Sequence, residues 1–213
     1  PDLSGDGVLT GGERLSVRDL LTALLVPSRN DAAITLADGV AGSQGAFVEL
    51  MNQRAAEIGF YYLCNPNNPT GLIVPKQEVK AIIENLPKDM PILIDEAYHH
   101  FVNTPDYETS IPAVLEGRPV IIARTFSKIA ALAAMRIGYS VAPPEMIREM
   151  RIYASNSVNV LAKWGAVASL KDPAAQADVK TKTITLRNNT SKVLESWGYA
   201  VIPSQTNFFM VSL

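Results

Sequence analysis

The sequence predicts an α/β protein in which a helical segment precedes a partial parallel sheet with flanking helices. From about residue 60 onward, short continuous apolar runs alternate with stretches of helical periodicity. That alternation is typical of parallel strands covered by helices on both faces. Before residue 60, apolar side chains recur at helical spacing. We expect a helical segment over residues 1–59, a sheet over 60–150, and connecting helices with a last strand or two over 151–213.

Three helices are expected in the first segment. The first has apolar side chains at helical spacing and ends before Pro27: Val17, Leu20, Leu21, Leu24 and Leu25. Residues 31–40 and 44–58 are expected to form the second and third helices. In the second segment, apolar runs predict four parallel strands, at residues 60–64, 91–94, 120–123 and 137–142. Two long helices follow Pro144, and residues 200–213 form one or two strands.

Composition and charge exclude several classes of protein. Hydrophobic residues make up 47% of the chain and charged residues 19%, an ordinary balance for a folded soluble protein. A net charge of −2 provides no basic surface for nucleic acid. No apolar run approaches the roughly 18 residues of a membrane span. The single cysteine, Cys64, forms no internal disulfide and fits a reducing compartment, so we expect a cytoplasmic protein.

Polar motifs follow the first three predicted strands. They are Asn-Pro-Asn-Asn-Pro-Thr-Gly at 65–71, Asp-Glu-Ala-Tyr at 95–98 and Thr-Phe-Ser-Lys at 125–128, and Arg136 precedes the fourth strand. A turn or a helix cap alone would explain each motif separately. The carboxyl ends of parallel strands, however, meet at one edge of a sheet, where α/β proteins bind ligands. We therefore expect these side chains to lie close together.

One cofactor requires this whole set of groups. Pyridoxal phosphate needs a lysine, an acid beside its ring nitrogen, donors for its phenolic oxygen, and hydroxyls with an arginine for its phosphate. The motifs at 65–71, 95–98 and 125–128, with Arg136, occur in the order found in class I/II aminotransferases. Residues 60–213 thus resemble that family of fold type I enzymes, and most closely its histidinol-phosphate aminotransferase-like branch.

The resemblance implies a role for each site residue. Asn68 and Tyr98 would bind the phenolic oxygen, and Asp95 would pair with the ring nitrogen. Lys128 would bond to the cofactor and then act as the base, so the catalytic residues would be Lys128, Tyr98 and Asp95. Three residues would bind the phosphate: Thr125, Ser127 and Arg136. The implied substrates are an amino acid and a 2-oxo acid, and the implied assembly is a homodimer.

Some positions depart from the family pattern. Where such enzymes usually have an aromatic residue and glycines after the lysine, residues 129–135 read Ile-Ala-Ala-Leu-Ala-Ala-Met, and the extra methyl groups are expected to crowd the cofactor. The family's phosphate loop, ring-stacking aromatic and substrate-binding arginine have no counterpart in this chain. An incomplete, cofactor-binding remnant of such an enzyme is therefore an open alternative.

The N-terminal part resembles a different family. Residues 12–21, 27–33 and 46–52 look like a D-alanyl-D-alanine carboxypeptidase of the penicillin-binding family, over the stretch 8–59. Ser28 and Asn30 would be its Ser-x-Asn motif, but the Ser-x-x-Lys nucleophile and the Lys-Thr-Gly strand have no match. We expect no peptidase activity, and Ser28 and Asn30 would form a turn and a helix cap. A non-catalytic chimeric module is a further alternative.

The first residues follow the spacing of a calcium-binding loop. Acidic and hydroxyl side chains between Asp2 and Glu13 match a twelve-residue EF-hand loop, with Gly7 at its sixth position. Only Pro1 precedes Asp2, so the entering helix that would orient the ligands has no counterpart. We therefore expect a polar turn here and no metal site.

Overall fold

A computed structural model describes residues 15–18, 20–21, 30–50, 59–153 and 158–212. The chain divides into two compact units, Pro1–Gly59 and Phe60–Leu213. In the first unit, helix α1 spans Asn30–Ala41, in agreement with the expected helix over 31–40. Residues 17–18, 20–21 and 44–50 are also helical. The polar turn expected over residues 2–13 and the ends of the first and third predicted helices lie outside the described residues.

A small apolar cluster forms among the described residues of the first unit. Leu20 and Ala32 are buried, and Leu15 and Leu36 pack against them. Ala32 and Leu36 lie four residues apart on α1, so they occupy one face of that helix. Apolar side chains at helical spacing in this segment thus pack against each other.

The second unit alternates strands and helices. In chain order its elements are β1 (Tyr61–Cys64), α2 (Lys76–Asn85), β2 (Ile92–Asp95), α3 (Ile111–Leu115), β3 (Val120–Thr125), β4 (Gly138–Val141), α4 (Pro144–Arg151), α5 (Val160–Lys171), α6 (Pro173–Ser196), β5 (Ala200–Val201) and β6 (Val211–Ser212). Short 3₁₀ turns lie at His99–Phe101 and Ala133–Met135. Among the described residues, three helices follow residue 143 instead of the two expected, since one helix ends at Arg151 and the next ends at Lys171, directly before Asp172.

The main sheet has the order β1-β2-β3-β4. Its first three strands are parallel, and Cys64, Asp95 and Ala123 lie side by side at their carboxyl ends. The fourth strand is antiparallel to β3, so the prediction of a parallel strand at 137–142 was wrong. A parallel return needs a crossover, usually a helix. The connection from β3 to β4 contains only a 3₁₀ turn, which lets the chain turn back beside β3.

One face of the sheet carries the core of the second unit. Four strand residues are buried against α2 and α3, namely Ile92, Ile94, Val120 and Ile122. Val79 and Ile83 of α2 and Val114 of α3 complete this cluster. Because successive strand residues point to opposite faces, Asp95 and Thr125 lie on the other side. The core therefore fixes the strands while the opposite face remains available for polar side chains.

Two further observations concern the described part of the chain. None of its helices has the length and apolar character needed to cross a membrane. No group of three or more metal-binding side chains comes together among the same residues.

Candidate active site

Asn68, Tyr98 and Lys128 meet at the carboxyl edge of the parallel strands. The Asn68 side-chain amide donates a hydrogen bond to the Tyr98 hydroxyl oxygen at 3.1 Å. The Lys128 amine lies 5.1 Å from the centroid of the Tyr98 ring. Three motifs that are far apart in sequence thus converge on Tyr98. Asn68 and Lys128 are both exposed, so their polar groups are accessible to a ligand.

Asp95 is the last residue of β2, and both of its carboxylate oxygens have partners. Oδ1 accepts the backbone N–H of Ala97 at 2.9 Å, and Oδ2 accepts the Tyr62 hydroxyl at 3.2 Å. Partial burial and, next, the negative charge of Asp95 raise the pKa of Tyr62, so this phenol stays protonated and remains a donor. Sequence analysis missed Tyr62, although its place on β1 beside β2 provided a signal.

The ring of Tyr98 is fixed by apolar contacts. Its side chain is 6% exposed, and it packs with Phe101 and Ile129. Phe208 meets the Tyr98 ring edge-on, with centroids 5.0 Å apart and planes at 88°. This geometry is a favourable one for aromatic pairs. Sequence analysis missed Phe208, because no local pattern indicates which distant element returns to the sheet edge.

Thr125 and Ser127 share one turn after β3. The Thr125 hydroxyl accepts the backbone N–H of Ser127 at 3.0 Å, and the N–H of Phe126 donates to the carbonyl of Ile137 at 3.2 Å. Arg136 precedes Ile137, so the chain brings it beside this turn. Its exposed guanidinium, however, donates to the carbonyl of Ala133 at 2.9 Å. The structure therefore joins two of the expected phosphate-binding residues and leaves Arg136 bonded to its own turn.

The segment after Lys128 contains unusual backbone. Ala131 and Arg136 have φ angles of 54° and 50°, which makes them the non-glycine residues with positive φ in the described chain. This left-handed region suits glycine and disfavours a residue with Cβ. A cavity of about 360 Å³ lies between residues 129–132 and helices α5 and α6. The alanines noted as a departure from the family thus carry a conformational cost at Ala131.

The glycine of the 65–71 motif is explained by a close approach. Gly71 has a φ of 74°, and a Cβ built on it would lie 2.7 Å from Cβ of Ser204. Its carbonyl also accepts the backbone N–H of Gln205 at 2.8 Å. Only glycine permits both the conformation and the contact. This position therefore ties the loop before β6 to the loop that presents Asn68.

Arg187 of α6 makes a second tie to the same region. Its guanidinium donates to the carbonyl of Thr206 at 3.0 Å and to Oδ1 of Asn103 at 3.1 Å. The backbone N–H of Asn103 donates in turn to the Gln205 side chain at 3.0 Å. These bonds hold the loop that carries Phe208 against the segment after Tyr98.

A buried charged network lies behind the site. Glu96 follows Asp95 and is 1% exposed. Its carboxylate pairs with the Arg124 guanidinium at 2.7 Å, and also accepts the Thr109 hydroxyl at 2.8 Å and the Ser110 N–H at 2.8 Å. Sequence analysis assigned no role to these residues. A signal existed, because Glu96 and Arg124 continue the alternation of the buried pairs Ile92, Ile94 and Val120, Ile122.

Two histidines directly follow Tyr98. The rings of His99 and His100 lie 3.7 Å apart, and a ring nitrogen of His99 bonds to the carbonyl of Glu96 at 2.8 Å. Burial, followed by repulsion from His100 and Arg124, lowers the pKa of His99 to about 3. Burial, followed by repulsion from Arg124 and Lys180, lowers the pKa of His100 to about 4. Both rings are therefore neutral at neutral pH.

The carboxypeptidase resemblance of residues 8–59 remains a prediction. Ser28 lies outside the described residues, and Asn30 is the first residue of α1, with nothing described of its side chain. The family model for aminotransferases of class I and II matches residues 41–213. The match begins earlier than the predicted start at residue 60 and includes residues 46–52, which entered the carboxypeptidase resemblance.

Curated relatives are similar in sequence to most of this chain. It is 35% identical over 181 residues to a histidinol-phosphate aminotransferase of Brevibacillus brevis, covering 84% of this chain and 49% of the relative. An aromatic amino acid aminotransferase of Mycobacteroides abscessus is 38% identical over 153 residues, covering 71% of this chain and 44% of that protein. The chain therefore spans about half the length of the curated relatives it matches.

A solved structure shows the same fold. It is histidinol-phosphate aminotransferase from Sinorhizobium meliloti in complex with pyridoxal-5'-phosphate, with 30% identity and a TM-score of 0.69. The similarity covers 78% of this chain and 45% of that one. The mixed α/β architecture expected from the sequence is thereby confirmed. On the family match over residues 41–213, the chain belongs to the aminotransferase class I and II family.

Proposed function

We propose that this chain is the cofactor-binding part of a pyridoxal-phosphate-dependent aminotransferase, which moves an amino group between an amino acid and a 2-oxo acid. The observation that carries the proposal is the position of the Lys128 amine, 5.1 Å from the centroid of the Tyr98 ring. The hydroxyl oxygen of the same tyrosine accepts a hydrogen bond from the Asn68 side chain at 3.1 Å. The pyridoxal-5'-phosphate in the Sinorhizobium meliloti relative supports the choice of cofactor.

The donors and acceptors at the sheet edge fit this cofactor. Pyridoxal phosphate, when bound, supplies an aldehyde that bonds to an amine and a ring that withdraws electrons from the neighbouring carbon. An exposed lysine, a carboxylate, a phenol and an amide are present at one end of the site. Two hydroxyls and an exposed arginine are present in the turn after β3 and beside β4.

Asp95 and Tyr98 would bind two different polar groups of the cofactor ring. Each Asp95 oxygen has a second lone pair, so the carboxylate can hold a proton at the ring nitrogen while it keeps its bonds to Ala97 and Tyr62. The Tyr98 oxygen accepts from Asn68, which leaves its own O–H free to donate to the phenolic oxygen. Both groups are oriented by the protein before a ligand arrives.

Lys128 would provide the acid–base chemistry. Its amine would hold the cofactor and would act as the base that moves the proton at the substrate Cα. Thr125 and Ser127 would bind the phosphate with their hydroxyls. Arg136 would add a charged fork after it leaves the carbonyl of Ala133.

Covalent trapping provides the decisive experiment. We expect wild-type protein mixed with pyridoxal phosphate to show the absorbance of the lysine-bound cofactor. Borohydride reduction followed by peptide mass spectrometry should place the adduct on Lys128. Lys128→Ala should lose both signals, whereas Lys163→Ala, at an exposed lysine of α5, should keep them. Equal labelling of wild type and Lys128→Ala would refute the proposal.

Further elements of this function are separate proposals. We propose a cytoplasmic homodimer, from the resemblance to the family, and native mass spectrometry of the 213-residue chain tests the dimer. A transamination assay with amino acid and 2-oxo acid pairs tests whether the chain is active or binds the cofactor without turnover. A covalent adduct of labelled penicillin on Ser28 would instead favour the carboxypeptidase alternative.

A further inference from the structure

Glu96 and Arg124 occupy the end of an otherwise apolar stripe. Ile92 and Ile94 of β2 and Val120 and Ile122 of β3 are buried on the face that α2 and α3 cover. With a period of two residues, the next positions on this face are Glu96 and Arg124. An ion pair thus stands where the pattern would continue with two apolar side chains.

The ion pair connects three segments. Arg124 donates to Glu96 through Nη2 at 2.7 Å and through Nε at 3.0 Å. The Thr109 hydroxyl accepts from Arg124 Nη2 at 2.7 Å and donates to Glu96 at 2.8 Å, so it bridges both charges. The Ser110 N–H donates to the other Glu96 oxygen at 2.8 Å. The end of β2, the end of β3 and the loop before α3 are therefore bonded to one carboxylate.

Stability alone is a weak reason for such a pair. Removing two charges from water costs as much as, or more than, their attraction returns, and well-packed apolar residues often replace a buried pair without loss. What an apolar pair does not provide is a fixed direction and distance. Arginine with a carboxylate supplies both, because the guanidinium is planar and presents its donors in a rigid fork.

The neighbours of these residues belong to the two halves of the proposed cofactor site. The ring-binding half is Asn68, Asp95, Tyr98 and Lys128, and the phosphate-binding half is Thr125, Ser127 and Arg136. Asp95 of the ring-binding half precedes Glu96, and Thr125 of the phosphate-binding half follows Arg124. The backbone N–H of Glu96 also donates to the carbonyl of Ala123 at 2.9 Å, which extends the pairing of the two strands to the site. A change in the Glu96–Arg124 distance would thus move Asp95 relative to Thr125.

We propose that Glu96, Arg124 and Thr109 form a positioning clamp that sets the spacing between the ring-binding and the phosphate-binding half of the site. The inference rests on the proposed cofactor function and adds residues that do not touch the ligand. They act from the opposite face of the sheet, through the backbone of their neighbours. A displacement of about 1 Å in such a site can cost two orders of magnitude in function.

Three variants separate positioning from folding. Arg124→Lys keeps the charge and loses the fork, and Glu96→Gln keeps an acceptor for Ser110 and loses the charge. The double variant Glu96→Gln/Arg124→Met leaves no unpaired buried charge, so it should fold. Asp178→Asn, which breaks the exposed Lys182–Asp178 pair on α6, serves as the matched control.

Cofactor affinity, the pH titration of the bound cofactor's absorbance and Tm are measured for each protein. We expect the double variant and Arg124→Lys to bind pyridoxal phosphate about tenfold to a hundredfold more weakly, by analogy with residues that orient metal ligands. The midpoint of the pH titration should shift by about one unit, because the charge of Asp95 moves relative to the ring. The double variant should keep a Tm close to that of wild type, and the control should match wild type throughout.

The outcomes separate the two proposals. Unchanged affinity and unchanged pH midpoint in the double variant would overturn the clamp while the cofactor function stands. Affinities that merely follow Tm, with a constant pH midpoint, would overturn it as well, because the pair would then only support folding. If wild type itself takes up no pyridoxal phosphate, the proposed function fails and the clamp fails with it.

Discussion

The two halves of the candidate site differ in how far the chain prepares them. In the ring-binding half, Asn68 bonds to Tyr98, Asp95 accepts two hydrogen bonds, and Tyr98 is buried against Phe208. In the phosphate-binding half, Arg136 is exposed and bonds to the carbonyl of Ala133. The residues of the first half have these contacts without a ligand, whereas Arg136 would have to leave the carbonyl of Ala133 to serve the role proposed for it.

Local structure explains this difference. The ring-binding residues lie at the ends of parallel strands, whose register is fixed by the core on the other face. The phosphate-binding residues lie in a turn and before an edge strand, where Ala131 and Arg136 adopt left-handed conformations. Preorganised groups bind with less loss of conformational freedom. We therefore expect the two halves to respond differently to substitution.

The largest effect on cofactor binding is expected from Arg136→Met. Removing a charged fork from a phosphate should weaken binding of pyridoxal phosphate about tenfold to a hundredfold, since hydrogen bonds between charged groups contribute roughly 1.5–3 kcal/mol. Pyridoxal, which lacks the phosphate, should bind wild type and variant equally. Absorbance titration with both compounds measures the difference, and Arg148→Met, on α4, is the control. Equal losses for the two compounds would show that Arg136 serves the ring-binding half or the fold instead.

A pH effect should come from the ring-binding half. The pKa of His99 is lowered to about 3 from 6.5, so below pH 6.5 the unfolded chain binds a proton that the folded chain does not. Stability is therefore complete above pH 6.5 and decreases as the pH falls toward 4. The loss due to His99 should be roughly 3 kcal/mol over that range.

His99→Asn isolates this contribution. Asparagine keeps a donor for the carbonyl of Glu96 and has no titration in this range. The difference in Tm between wild type and variant should therefore shrink steadily as the pH falls, because only wild type carries the histidine penalty. Parallel curves for the two proteins would mean that His99 titrates alike in the folded and unfolded chain.

The sequence indicated which motifs meet at the sheet edge better than it indicated the contacts that hold them there. Asn68, Tyr98 and Lys128 stand in motifs at strand ends, so their meeting follows from the parallel sheet alone, while the role of each in holding a cofactor stays a prediction. Phe208 escaped prediction because no local periodicity indicates where a distant loop docks. The antiparallel direction of β4 escaped it too, because an apolar run does not reveal strand direction and only the short connection does.

Glu96 and Arg124 show a second kind of contact that the sequence does not predict. Glu96 lies inside the motif at 95–98 and Arg124 directly precedes the motif at 125–128, yet charged residues beside a ligand motif suggest solvent contact or ligand binding first. Only the structure shows that Glu96 is buried and that the mostly buried Arg124 is turned toward it, at 2.7 Å. Sequence alternation indicates which face a strand residue occupies, but it does not show which partner meets it there.

Tyr62→Phe should have a moderate effect on the ring-binding half. The substitution removes the donor at 3.2 Å from Asp95 Oδ2 and changes little else, because the ring is retained. Since Tyr62 is 54% exposed, water can replace part of the bond, and we expect a loss of about 1 kcal/mol or less in cofactor binding. Titration with pyridoxal phosphate and with pyridoxal should show the same loss for both. A loss confined to pyridoxal phosphate would place Tyr62 in the phosphate-binding half.

The smallest effect is expected from Ala131→Gly in the phosphate-binding half. Relief of left-handed strain at a φ of 54° should gain about 1–2 kcal/mol, and the greater freedom of glycine in the unfolded chain should cost about 0.4–1 kcal/mol. The net result should be a slight rise in Tm. Ala134→Gly, in the neighbouring 3₁₀ turn, gains no such relief and should lower Tm. If both substitutions destabilise the protein equally, the turn after Lys128 carries no strain, and the contrast between the two halves depends on Arg136 alone.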